Sequence, residues 1–129
     1  MSQPLKSILI VDDSETNLVL LEAILEGEGW IVKTAATANG GLEMIKNEIP
    51  DLILLDLLMP RVDGYEMLDR LKSNEKYKNI NVIVVSAVSD EKTRRTCLEK
   101  GAVDYMSKPV KIEELLNKVK GILNTGNNN

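Results

Sequence analysis

Histidine does not occur anywhere in this 129-residue chain, and neither does phenylalanine. Without imidazole there is no catalytic triad and no side chain of ordinary pKa near neutrality, and most zinc sites are ruled out. The single cysteine, Cys97, cannot close an internal disulfide and suits a reducing compartment. Aromatic residues are limited to one Trp and three Tyr, so any core has to be built from Leu, Ile and Val. No apolar run approaches the roughly 18 residues needed to cross a bilayer. The opening Met1-Ser2-Gln3-Pro4-Leu5-Lys6 lacks the hydrophobic stretch of a signal peptide. The expected location is therefore cytoplasmic, away from membranes. Cations are in deficit as well: the formal net charge is -4, which leaves no broad basic face for phosphate backbones and argues against direct nucleic-acid binding.

What is present is a regular alternation. With 43% hydrophobic residues, the chain can bury one core of ordinary size. Strand-like aliphatic runs fall at residues 7–11, 30–36, 51–55, 82–85 and 102–106. Helical spacing separates them: Leu18, Leu21, Ile24 and Leu25; then Leu42, Ile45 and Ile49 after a cap at Asn39; then Leu68 and Leu71; then a charged segment over about 90–100 that stops at Gly101. A last helix over about 111–123 carries Ile112, Leu115, Leu116, Val119 and Ile122. Five βα units of this kind predict a parallel sheet covered by helices on both faces. The third run, apolar throughout, belongs at its centre.

The chemistry lies where the runs end. Ile8-Leu9-Ile10-Val11 stops at Asp12-Asp13, and Leu52-Ile53-Leu54-Leu55 stops at Asp56. Ser86 and Lys108 also follow predicted strands, so five polar groups from four strands share the rim where parallel α/β sheets bind their ligands. Acids gathered there repel: at about 4 Å and an effective dielectric near 20, each pair costs roughly 4 kcal/mol. Such a cluster either takes up protons or recruits a cation, and an all-oxygen site suits Mg²⁺ or Ca²⁺.

Taken together and in order, Asp12-Asp13, Asp56-Leu57-Leu58-Met59-Pro60 with Gly64, Ser86-Ala87 and Lys108-Pro109 strongly resemble the receiver domain of two-component response regulators over residues 6–123. The resemblance implies a flavodoxin-like (βα)5 fold with strand order 2-1-3-4-5, a receiver unit over residues 1–123 and a frayed tail over 124–129. It implies that Asp56 accepts a phosphoryl group from a phosphohistidine of a histidine kinase or histidine phosphotransferase; the donor imidazole must come from that partner. It further implies Mg²⁺ held by Asp13, Asp56 and the backbone carbonyl of Leu58, with Asp12 acting largely through water. Ser86 and Lys108 would contact the phosphoryl group, Tyr105 would change rotamer with Ser86, and the Lys108–Pro109 bond would be cis. The output would be a change in the face formed by the fourth helix, fifth strand and fifth helix. That face would be read by a downstream protein or fused output domain, or would drive a phosphorylation-induced homodimer. Such a switch dephosphorylates itself slowly and is not a turnover enzyme.

Two features refine this expectation. Leu58 and Val88, each two residues beyond a site residue, are apolar where fast-hydrolysing receivers commonly carry polar groups, which predicts a long-lived phosphorylated state. Leu58 also stands where a phosphohydrolase with an aspartyl-phosphate, of the haloacid dehalogenase type, would place its second aspartate. A flavin carrier of similar topology would need a hydroxyl- and glycine-rich loop after the first strand, where Asp12-Asp13 would repel the phosphate instead. The basic residues Lys92, Arg94, Arg95 and Lys100 read as a solvated helix face. Cys97 and the methionines read as core fillers.

Overall fold

Each aliphatic run becomes one strand of a single sheet. A computed structural model describes residues 5–59 and 63–124; Pro60 and most of the expected tail lie outside them. The order is β1 (Ser7–Val11), α1 (Glu15–Glu26), β2 (Ile31–Ala35), α2 (Ala38–Asn47), β3 (Leu52–Asp56), α3 (Gly64–Lys72), β4 (Asn81–Ser86), α4 (Glu91–Glu99), β5 (Asp104–Ser107) and α5 (Ile112–Leu123). The strands lie side by side as β2-β1-β3-β4-β5, and every neighbouring pair is parallel. This is the doubly wound fold with strand order 2-1-3-4-5.

The period-2 alternation of a strand divides its side chains between two cores. Ile8, Ile10, Leu52, Leu54, Ile83 and Val85 pack with Leu18, Leu21 and Leu25 of α1 and Leu115, Val119 and Leu123 of α5. Leu9, Val11, Ile53, Leu55, Val82 and Val84 face the other way, against Ile45 of α2, Met67, Leu68 and Leu71 of α3, and Cys97 of α4. Because both faces are covered, the central strands have no polar side to show, which is why they read as unbroken aliphatic runs.

Two local expectations need correction. The cap of α2 is Thr37, whose hydroxyl accepts the Gly40 N–H at 2.9 Å; Asn39 already lies inside the helix. That helix ends at Asn47, so Ile49 falls beyond it and is exposed. The fifth strand also starts later than its apolar pattern suggests. The N–H of Ala102 is taken by the Cys97 carbonyl at 3.0 Å, so residue 102 still closes α4.

Gly64 fixes where α3 meets the sheet. A methyl group on it would lie 2.3 Å from the Asp56 carbonyl oxygen and 2.6 Å from the Leu57 Cα, and its N–H donates to the Leu57 carbonyl at 2.9 Å. The helix start is thus pressed directly onto the end of β3. Gly64→Ala is expected to lower stability by about 2–4 kcal/mol in urea unfolding. Gly121→Ala in α5, where nothing lies within 4 Å of the added methyl, is expected to raise it by up to about 1 kcal/mol.

Candidate functional site

The strand registers assemble the site before any side-chain contact is considered. Val11 pairs with Leu55, so the next residues, Asp12 and Asp56, emerge side by side. Asp56 pairs with Val85, which places Ser86 one step beyond. Ser86 pairs with Ser107, so Lys108 follows on the far side. Among the described residues the buried polar side chains are Asp12, Asp56 and Ser86, at 2%, 4% and 0% exposure. All three lie on this one rim, in a fold that otherwise buries aliphatic groups.

Carboxylate oxygens of Asp12, Asp13 and Asp56 all lie within 4.8 Å of one another. The Lys108 ammonium stands between two of these acids, 3.1 Å from Asp12 Oδ2 and 3.5 Å from Asp56 Oδ2. Asp12 is engaged at both oxygens: Oδ1 accepts the Ser14 N–H at 2.9 Å, and Oδ2 lies 3.5 Å from the Asn17 amide nitrogen. Asp56 Oδ1 accepts the Leu58 N–H at 3.2 Å. Asp13 is exposed and, among the described residues, its carboxylate accepts no hydrogen bond. The Leu58 carbonyl likewise accepts none among them. The three carboxylates make a hard-oxygen donor set, with the exposed one uncommitted, and it fits a divalent cation of the Mg²⁺ or Ca²⁺ kind.

On the β4–β5 side, Ser86 Oγ accepts the Val88 N–H at 3.1 Å, and the Tyr105 hydroxyl donates to the Val88 carbonyl. One residue thus holds both hydroxyl-bearing side chains. Tyr105 is buried rather than half-exposed, although β5 is an edge strand. Burial pushes its phenol pKa up, and the neighbouring Ser86 hydroxyl pulls in the opposite direction. The Lys108–Pro109 peptide is cis, as expected, and the Lys108 N–H donates to the Ser86 carbonyl at 2.8 Å.

The structure thus gathers Asp12, Asp13, Asp56 and Lys108 into one cluster and sets Ser86 at the end of the adjoining strand. Leu58 contributes its backbone here, while its side chain is 55% exposed. Sequence reasoning missed Asn17 and the node at Val88. Asn17 sits in the first turn of α1, directly after the acidic pair, and that placement was the available signal. Val88 acts through its backbone and carries no signal of residue type. Also missed was a cavity of about 460 Å³ beside Lys108, lined by Asn17, Leu20, Leu21, Ala87, Pro109 and Val110.

The family model of the response regulator receiver domain matches residues 8–120. The chain belongs to that family. This receiver domain is 37% identical over 115 residues to Response regulator PleD of Caulobacter vibrioides, covering 89% of the chain and 25% of PleD. It therefore spans about a quarter of that relative. It is 35% identical over 116 residues to Protein PilH of Pseudomonas aeruginosa, covering 90% of the chain and 96% of PilH. The crystal structure of the signal receiver domain of a signal transduction histidine kinase from Syntrophus aciditrophicus superposes with a TM-score of 0.85 at 35% identity, covering 93% of this chain and 91% of that one. Receiver domains are signalling modules of two-component systems, paired with histidine kinases and found fused to output domains. No helix among the described residues is long and apolar enough to cross a membrane.

Electrostatics at the acid cluster are measurable. Burial raises the Asp56 pKa above its ordinary value; Lys108 opposes this, Asp12 adds to it, the Leu58 N–H opposes it and Asp13 adds again. The folded state therefore holds the Asp56 proton to higher pH than the unfolded chain does. Between the ordinary carboxylate pKa and the raised one, stability falls as pH rises, and above the raised value the full penalty applies. In metal-free buffer at neutral pH, Asp56→Asn is expected to raise Tm by about 4 °C, or ~1 kcal/mol for a domain of this size. Scanning calorimetry down to about pH 4 should show that gain shrinking as the wild-type acid takes up its proton.

Proposed function

We propose that this chain is a phosphorylation-dependent switch in which Asp56 accepts a phosphoryl group from the phosphohistidine of a histidine kinase or histidine phosphotransferase. The observation that carries this reading is the convergence of Asp12, Asp13 and Asp56 within 4.8 Å, with Lys108 bridging two of them. A carboxylate is a weak nucleophile towards an anionic phosphoryl group, so the site has to supply positive charge. An Asp56 oxygen forms the new O–P bond as the P–N bond to the donor imidazole breaks, and the electron pair leaves with that imidazole. Lys108 offsets the charge on the transferring oxygens. Asp13, Asp56 and the Leu58 carbonyl would hold Mg²⁺, with Asp12 behind them. When bound, the ion supplies the remaining positive charge beside the nucleophile.

After transfer, Ser86 turns its hydroxyl to the phosphoryl group and gives up the Val88 N–H. Val88 also accepts from Tyr105, so the β4–α4 segment and Tyr105 move together and alter the α4–β5–α5 face. A downstream protein or fused output domain reads that face, with a phosphorylation-induced homodimer as an alternative readout. Residues 1–123 are assigned to the receiver unit, acting in the cytoplasm. The protein is a phosphoacceptor that catalyses its own phosphoryl uptake and slow hydrolysis, not a turnover enzyme. Leu58 and Val88 shield the acyl phosphate from water and prolong its life.

Incubation with acetyl phosphate and Mg²⁺, followed by intact mass spectrometry, tests this. One phosphoryl group per chain is expected, absent in Asp56→Asn and formed at least about ten-fold more slowly in Lys108→Ala. Mg²⁺ is expected to raise the Tm of the wild type and to leave Asp56→Asn nearly unchanged. Label on Asp56→Asn, or steady turnover of acetyl phosphate without accumulation, refutes the proposal. The double variant Leu58→Asn, Val88→Glu is expected to lose its phosphoryl group about ten-fold faster; an unchanged rate removes the shielding argument.

A further inference from the structure

Between α2 and α3 the surface opens into a groove of about 470 Å³, and none of its lining residues belongs to the acid cluster. Helix α2 contributes Asn39, Leu42, Glu43 and Lys46. The opposite wall is Arg70, Ser73, Asn74 and Tyr77. Both sets run at positions i, i+3, i+4 and i+7. Along α2 that spacing is one stripe on a single face, about two turns or roughly 10 Å long.

Helix α3 stops at Lys72, so Tyr77 reaches the groove from the turn that follows. That turn is tied down. The Tyr77 N–H donates to the Asn74 carbonyl at 3.1 Å. Just beyond it, the Lys72 ammonium donates to the carbonyls of Lys78 at 2.9 Å and Ile80 at 2.7 Å. The wall is therefore built before any ligand arrives, and a preformed wall costs a ligand little ordering.

The lining has a definite chemical character. Leu42 and Tyr77 are its apolar members, both partly buried against the core. Two cations, Lys46 and Arg70, stand against one acid, Glu43. Lys46 meets Glu43 at 3.3 Å, and Arg70 meets Glu66 at 2.8 Å. Both are exposed pairs within a single helix, and such pairs hold their members weakly. Either cation can turn to a bound anion, and a guanidinium matches a carboxylate through two parallel hydrogen bonds.

We infer that this groove binds a small aromatic carboxylate, its ring on Leu42 and Tyr77 and its anionic group on Lys46 and Arg70. Size and charge decide among the occupants. The volume suits a molecule of metabolite size. A protein partner would need a wide apolar centre, which two side chains do not provide. Nucleic acid would need a run of cations along its backbone, and this groove has two. The inference does not depend on the role proposed for Asp56.

The test uses the whole chain and three probes: indole-3-acetate, its uncharged analogue indole-3-acetamide, and acetate, which lacks the ring. Amide chemical shifts are followed by NMR during titration. Indole-3-acetate is expected to bind with a Kd of about 0.1–1 mM and to shift residues 39–46 and 70–77. The amide and acetate are expected to bind at least about ten-fold less well. The variant Lys46→Gln, Arg70→Gln is expected to weaken indole-3-acetate by the same factor and to leave the spectrum away from the groove unchanged. Glu43→Gln removes the acid that repels the anion and is expected to tighten binding about two- to three-fold. A damaged fold could not produce that gain. Equal binding of the amide, unchanged affinity in the double variant, or shifts centred on residues 86–88 and 108–110 overturns the inference. So does the absence of shifts at about 10 mM indole-3-acetate, or tighter binding of a glutamate-flanked helical peptide at the same residues.

Discussion

Lys108 placed between two buried carboxylates is the constraint on which the rest of this molecule turns. Asp12 and Asp56 leave solvent because the strands that carry them are central and covered on both faces. Burying two like charges side by side is unfavourable unless a cation stands close by. The chain delivers that cation from the end of β5, two strands away from Asp56, so the ion pairs exist only when the sheet closes in the right order. Asp13, exposed and uncommitted, leaves the cluster still negative. Local geometry thus supports a folded state that is stable but electrostatically incomplete. Incompleteness of this kind leaves an acidic cluster that could hold a metal ion.

The same constraint explains the glycine and serine positions around the site. Gly64 is needed because α3 begins against the carbonyl of Asp56. Ser14 caps α1 through its side chain while its N–H holds Asp12, so one residue starts the helix and orients an acid. Ser86 is fully buried, with its hydroxyl satisfied by Val88. These are small residues chosen where a backbone, a carboxylate and a helix end meet within a few ångströms.

Much of this was legible without coordinates. The unbroken aliphatic runs ending in Asp12, Asp56 and Ser86 pointed to a covered parallel sheet and its polar rim, because a doubly covered strand leaves acids nowhere to go except its end. Lys108 was legible only in company, since a Lys-Pro pair is ordinary by itself. Boundaries were less clear. Thr37 and Asn39 are both competent caps, and only the path of the chain decides between their side chains. The start of β5 was obscured because Ala102 and Val103 look like strand residues although Ala102 still hydrogen-bonds into α4. Val88 could not be found at all, since its contribution is a peptide N–H and a carbonyl that any residue would supply. Tyr105 gave its identity but not its depth: an edge strand does not reveal how far the adjacent loop folds over it.

The seating of α3 on Asp56 has a mechanical meaning. Where helix and strand are separated by side chains, a small backbone shift is absorbed by rotamer adjustments and dies out within a residue or two. Here there is no such cushion: hydrogen atoms alone fill the space between the Gly64 Cα and the peptide of residue 56. Any displacement of that peptide is handed undamped to the first turn of α3 and onward to its packing with α2. The molecule accordingly has a stiff linkage on the side of the sheet opposite α1 and α5, coupling events at the rim to a surface well away from the β4–α4 loop.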